Sequence, residues 1–170
     1  DLAMYAAKRS RSAVRNVGHA APVTASADDA ERQLLHELRR AIDHRDLALV
    51  YQPKFRLADG ALVGVEALLR WPHPRRGLLT PDEYLPLIRR HELIESVTQF
   101  VLDTALDDAR DWRNAGVDIS VAVNLYPPSL AALQLPDRLD RALSDRALDC
   151  SALTVEITED ALLDDIATTR

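Results

Sequence analysis

From Ile119 onward the chain alternates strand-like and helix-like segments, and this alternation constrains the fold more than any other feature. Ile119 to Leu125 and Leu153 to Thr158 read as strands rich in β-branched and apolar residues. Ser129 to about Ala147 between them has the spacing of a broken helix, and Asp160 onward reads as helix again. Strands separated by helices are the mark of parallel β/α units, in which helices cover the sheet. The part before Ile119 begins differently. Leu47 to Leu57 and Ala61 to Trp71 read as two strands joined across Asp59-Gly60, a strong turn signal, so this pair should run antiparallel. A helix over Asp28 to His44, with Leu34, Leu35, Leu38, Ala41 and Ile42 at helical spacing, precedes them. Thr80-Pro81-Asp82-Glu83 predicts a helix start, with Thr80 as N-cap and Glu83 closing a capping box. The next helix carries Ile94, Val97, Val101, Ala105 and Trp112 on one stripe, and Gly116 is placed to end it. The expected class is α/β: part of a TIM-like (β/α) barrel with an antiparallel first strand. Four strands are too few to close a barrel, so the chain is expected to be truncated after about four strands.

The ends support that expectation. Asp1 is not an initiator Met, and Arg170 falls inside the last helical pattern without a stop signal. Residues 9–27, rich in Arg, Ser, Ala and Val without periodicity, read as a flexible linker. A net charge of −6 argues against a DNA or RNA binder, which needs a basic stripe to neutralise phosphates. No apolar run reaches the roughly 18 residues that span a bilayer. The single cysteine, Cys150, cannot make an internal disulfide and is expected to be a small, half-buried side chain; a cytoplasmic setting fits.

Side chains alternate along a strand, so each strand can be asked what it turns to the presumed barrel interior. In the second strand Val63, Val65, Ala67 and Leu69 should meet the helices, leaving Gly64, Glu66, Leu68 and Arg70 on the other face. The third and fourth strands put Asn124 and Glu156 on that face. Two carboxylates and an amide carbonyl form a hard oxygen set, suited to Mg²⁺ or Mn²⁺. Arg70 lies about 13 Å beyond Glu66 along the strand, and its guanidinium fork matches phosphate oxygens. The spacing fits equally well with strand-end polar groups bonded to nearby loops. Among the remaining polar residues, His73 is expected to structure its loop. Asp107, Asp108 and Asp111 should form a solvated helix face, and Asp164-Asp165 a surface pair.

The residue strings narrow this. Tyr51-Gln-Pro-Lys-Phe55, Val65-Glu-Ala-Leu-Leu-Arg-Trp71 followed by His73-Pro74, Val123-Asn124 and Leu153-Thr-Val-Glu-Ile-Thr-Glu159 together resemble the EAL family in order and spacing, from about Leu34 to Arg170. The opening Asp1-Leu-Ala-Met-Tyr-Ala-Ala-Lys8 resembles the last helix of a GGDEF (diguanylate cyclase) domain. The resemblance implies three segments: residues 1–8 as a GGDEF remnant, 9–27 as linker and 28–170 as the N-terminal part of an EAL domain. It implies hydrolysis of cyclic di-GMP to pGpG with two Mg²⁺ or Mn²⁺ ions, and a homodimer formed through the EAL domain. Carried over by motif, Glu66, Asn124 and Glu156 correspond to metal ligands, and Arg70 to the phosphate-contacting arginine. Gln52 and Leu68 correspond to dinucleotide contacts, and Glu159 to a glutamate that steadies a neighbouring loop. The family's Asn-Val-Ser is here Asn124-Leu125-Tyr126, and its paired aspartates before Phe-Gly, its catalytic lysine and its later glutamate and glutamine do not occur in this sequence. The chain alone is therefore not expected to catalyse. The alternative is a degenerate EAL domain acting as a cyclic di-GMP receptor or protein-interaction module.

Overall fold

The structure is a computed structural model that describes residues 27–125 and 135–157. Helix α1 (Ala27–Asp43) carries Asp28 and Asp29 in its first turn and Arg40 in its last, charges that complement the helix dipole. It buries Leu38 and Ala41. Strands β1 (Ala48–Phe55) and β2 (Leu62–His73) pair antiparallel from Ala48↔Arg70 to Lys54↔Gly64, as the Asp59-Gly60 signal predicts. Gly60 takes φ +69, and the Asp59 carboxylate accepts the Ala61 N–H at 3.1 Å, so both turn residues act as their chemistry suggests. Pro53 lies within β1, which is an edge strand among the described residues and so tolerates a residue without an N–H.

A short strand that the sequence pattern did not reveal, β3 (Gly77–Leu79), turns back on the end of β2 through Trp71↔Leu79 and His73↔Gly77. Helix α2 (Pro81–Arg90) then starts at Thr80, whose N–H donates to Glu83 Oε2 at 2.8 Å, closing the predicted box. Helix α3 (Ile94–Asn114) ends where Gly116 takes φ +84. Strand β4 (Ser120–Leu125) lies parallel to β2. After helix α4 (Leu135–Ser144), β5 (Leu153–Ile157) lies parallel to β4. The sheet order is β1-β2-β4-β5, with β3 attached to the end of β2. This is the expected mixed sheet, antiparallel at its first pair and parallel afterwards.

One face of the sheet packs under the helices. Val65, Ala67 and Trp71 of β2 and Val121, Val123 and Leu125 of β4 are buried with Tyr84 and Ile88 of α2 and Val97, Val101 and Ala105 of α3. Trp71 sits edge-on to Tyr84, ring centroids 5.8 Å apart. Burying a side chain of this kind is worth about 1.5–3 kcal/mol. Val63 departs from the expectation: it is 40% exposed, because the covered part of β2 begins only at Gly64. Gly64 itself is required. A Cβ there would stand 2.6 Å from Ser120 Oγ and 2.9 Å from its carbonyl oxygen, so the absent side chain is what lets β4 approach. No described helix is long and apolar enough to cross a membrane. The predicted helix at 1–8, the linker up to residue 26, the start of the broken helix before Leu135, the helix from Asp160 and Glu159 lie outside the described residues, and Ala27, expected at the end of the linker, opens α1.

Candidate functional site

The uncovered face of the sheet gathers most of the predicted polar residues. Antiparallel pairing sets Gln52 of β1 directly opposite Glu66 of β2. Parallel pairing sets Asn124 of β4 directly beside Glu156 of β5. Glu66 and Asn124 meet: the Asn124 amide donates to Glu66 Oε1 at 2.8 Å. The face is more open than a barrel interior, with Asn124 exposed and Glu66 half-buried, so burial of charge is not what holds these groups.

Glu156 does not turn to Asn124. Its carboxylate is ion-paired with Lys54, and the two side chains are 33% and 38% exposed. Lys54 belongs to β1, three strand spacings from β5 along the sheet, which is about 14 Å if the sheet were flat. Contact therefore requires the sheet to curl toward this face, as a barrel wall does. Lys54 stands opposite Gly64, so no side chain on the neighbouring residue obstructs its reach. Sequence reasoning passed over Lys54, although it lies two residues beyond Gln52 and so on the same strand face.

A cavity of about 360 Å³ opens along the C-terminal half of β2. Glu66, Leu68, Arg70, Asn124, Tyr84 and Thr98 are among its walls. It thus brings together four of the predicted residues; Gln52 and Glu156 do not line it. Arg70 is half-buried and anchored by an Nη1 donation to the Leu69 carbonyl at 2.8 Å. Tyr84, fully buried, places a hydroxyl without a hydrogen-bond partner among the described residues. Burial pushes that phenol's pKa upward, while the charge of Arg70 pulls it down. No signal in the sequence marks Tyr84 apart from its neighbours in α2.

Three polar groups outside this face follow different lines. His73 structures its loop: Nδ1 accepts the N–H groups of Arg75 and Arg76 at 3.1 and 3.2 Å, and Nε2 faces Glu37 Oε2 at 2.8 Å. With Nδ1 serving as acceptor, the ring proton is on Nε2 and points at Glu37. The acids of α3 are less uniformly solvated than expected. Asp108 accepts the Tyr51 hydroxyl, Asp107 accepts Arg146 Nε at 2.9 Å, and Asp111 pairs with Arg110. Cys150 is exposed rather than half-buried, because it opens a 3₁₀ turn (Cys150–Ala152) on the surface.

As to the candidate metal centre, no group of three or more His, Cys, Asp or Glu side chains among the described residues could hold an ion. The donor set is instead two carboxylates and an amide, which fits a hard divalent cation. A cation already sits against one of its members, in the form of the Lys54 ammonium.

Comparison with known proteins places this arrangement. Residues 35–170 match the model of the EAL domain. The bifunctional diguanylate cyclase/cyclic di-GMP phosphodiesterase MucR of Pseudomonas aeruginosa is 43% identical over 134 residues, 78% of this chain and 20% of MucR. The cyclic di-GMP phosphodiesterase NbdA of the same organism is 40% identical over 134 residues, 78% of this chain and 17% of NbdA. The chain thus spans about a fifth of the length of these relatives. Among solved structures, the PaMucR phosphodiesterase in its c-di-GMP complex superposes with a TM-score of 0.72 at 42% identity, over 80% of this chain and 56% of that one. The EAL domain of Xanthomonas citri FimX, solved in complex with c-diGMP, shares the fold at a TM-score of 0.71 and 19% identity, over 82% and 54% of the two chains.

Proposed function

We propose, because this chain belongs to the EAL domain family, that it is the metal-ligating and phosphate-binding part of a cyclic di-GMP phosphodiesterase. The observation that carries the reading is the shared sheet face, on which Glu66 contacts Asn124, Glu156 stands in register beside Asn124, and Gln52 stands opposite Glu66. In this reading Glu66, Asn124 and Glu156 hold Mg²⁺ or Mn²⁺. An ion so bound neutralises phosphoryl oxygens and acidifies a bound water. The protein's own groups do the rest. Arg70, steadied by the Leu69 carbonyl, lines the cavity and would offer its remaining guanidinium N–H groups to a phosphate bound there. Leu68 offers apolar contact to a base, Gln52 reads polar atoms of the dinucleotide, and Glu159 braces the neighbouring loop. Hydrolysis breaks one phosphodiester P–O bond, the water oxygen joins phosphorus, and the proton passes to the departing ribose oxygen, giving pGpG.

The same reading takes residues 1–8 as the end of a GGDEF domain, 9–27 as the connection and 28–170 as the N-terminal part of the EAL domain. It also takes the EAL domain as a homodimer in a cytoplasmic setting. Titration calorimetry of this chain with cyclic di-GMP tests the core of the proposal. Binding should require Mg²⁺ or Mn²⁺, disappear in EDTA, and weaken at least about tenfold in Glu66→Gln and Arg70→Ala, the loss of one charged contact being worth about 1.5–3 kcal/mol. Absence of binding, or binding indifferent to EDTA and to both substitutions, overturns it. Conversion to pGpG in a longer protein carrying this sequence separates a hydrolase from a receptor.

A further inference from the structure

The Lys54 side chain spans the sheet on the site face, and its partner is a carboxylate assigned above to the metal. The ammonium reaches from β1 to Glu156 on β5, past Gly64 and over strands β2 and β4. A cation at that place does for Glu156 what a bound divalent ion would do, and the charge of the ammonium opposes a second cation on the same carboxylate. We propose that Lys54 is a built-in counterion of the site. It holds Glu156 in position while no metal is bound, and it must be displaced when the metal binds. The proposal rests on the metal reading of Glu66, Asn124 and Glu156.

Two consequences follow. Lys54 sets the cation affinity by competition, so removing its charge tightens metal binding although nothing is added to the ligand set. Lys54 also keeps the sheet curled in the metal-free protein, because the pair links the two edge strands of the sheet's described part. The metal takes over that restraint, so the stabilising effect of Lys54 should vanish once the site is filled. Neither consequence is expected of a lysine that merely decorates the surface.

The test is Mn²⁺ binding to the whole chain, followed by the electron paramagnetic resonance of free Mn²⁺, for wild type, Lys54→Met, Lys54→Gln and Lys54→Arg. The two neutral variants should bind Mn²⁺ about fivefold more tightly than wild type, the scale set by a half-exposed ion pair, and Lys54→Arg should behave as wild type. In EDTA a thermal double-mutant cycle of Lys54→Met with Glu156→Gln should show coupling, and saturating Mn²⁺ should remove it. Equal or weaker Mn²⁺ binding in both neutral variants overturns the counterion role and leaves the metal site standing. If wild type and variants alike fail to bind Mn²⁺, the metal reading falls and the counterion role falls with it. Lys54→Gln retains a polar, uncharged side chain, so the comparison survives if the methionine variant folds poorly.

Discussion

Changing Glu37 to Gln should loosen the attachment of α1 to the β2–β3 turn, and the loss should depend on pH in a defined direction. Glu37 accepts the Gln33 amide at 2.7 Å and the His73 ring at 2.8 Å, and is ion-paired with Arg75. The Gln33 hydrogen bond, with those of His73 and the charge of Arg75, outweighs burial and lowers the carboxyl's pKa from 4.5 to about 2. Without solvent screening that difference would amount to roughly 3 kcal/mol. Arg75 is 67% exposed and water screens its share, so about 1–2 kcal/mol is the expected cost of Glu37→Gln at pH 7. For a chain of this size that is about 3–8 °C in melting temperature. Because the carboxyl's pKa is depressed on folding, its contribution is complete above about pH 4.5 and disappears as pH falls toward 2. Thermal unfolding of wild type and variant from pH 7 to pH 2.5, followed by circular dichroism, should show two curves that are separated at neutral pH and converge in acid. Identical melting temperatures at pH 7, or a separation that persists undiminished in acid, would refute the assignment of Glu37 as the charged end of this network.

Two further substitutions probe the packing that frames the site. Gly64→Ala should destabilise by about 1–3 kcal/mol, since the added methyl meets the Ser120 carbonyl as well as its movable hydroxyl; chemical denaturation measures it, and Ser120→Gly should restore only part of the loss. Tyr84→Phe removes a buried hydroxyl that has no partner among the described residues, so stability should be unchanged or rise by up to about 1 kcal/mol. A clear loss in the same denaturation assay would mean that the hydroxyl has a partner.

Most of the fold was legible because its signals are local. Asp59-Gly60 specified the hairpin, Thr80 and Glu83 the start of α2, and Gly116 the end of α3, each through a backbone requirement that few residues meet. Strand β3 was not legible: three residues cannot show a period, and they form a strand only because the end of β2 offers a partner. At the site, alternation was enough to put Glu66, Asn124 and Glu156 on one face. It could not show that Glu156 would turn to Lys54, because that contact depends on the curvature of the whole sheet. The exposure of Val63 and the partners of Asp107 and Asp108 are also long-range outcomes, decided by where the helices stop and by arginine and tyrosine side chains far away in sequence.

Pro53 has a consequence for solubility. A row of free N–H and C=O groups along a sheet edge invites a strand from another molecule to add itself. The imide nitrogen of Pro53 has no hydrogen to offer an incoming strand, and it interrupts β1, an edge strand among the described residues, two residues before its end. An added strand would therefore meet a gap in the donors at Pro53. Exposed Phe55, Leu57 and Leu62 cluster at the same end of the hairpin and would otherwise make it adhesive. The hairpin can therefore keep an apolar tip in water because its backbone discourages fibre-like growth from that side.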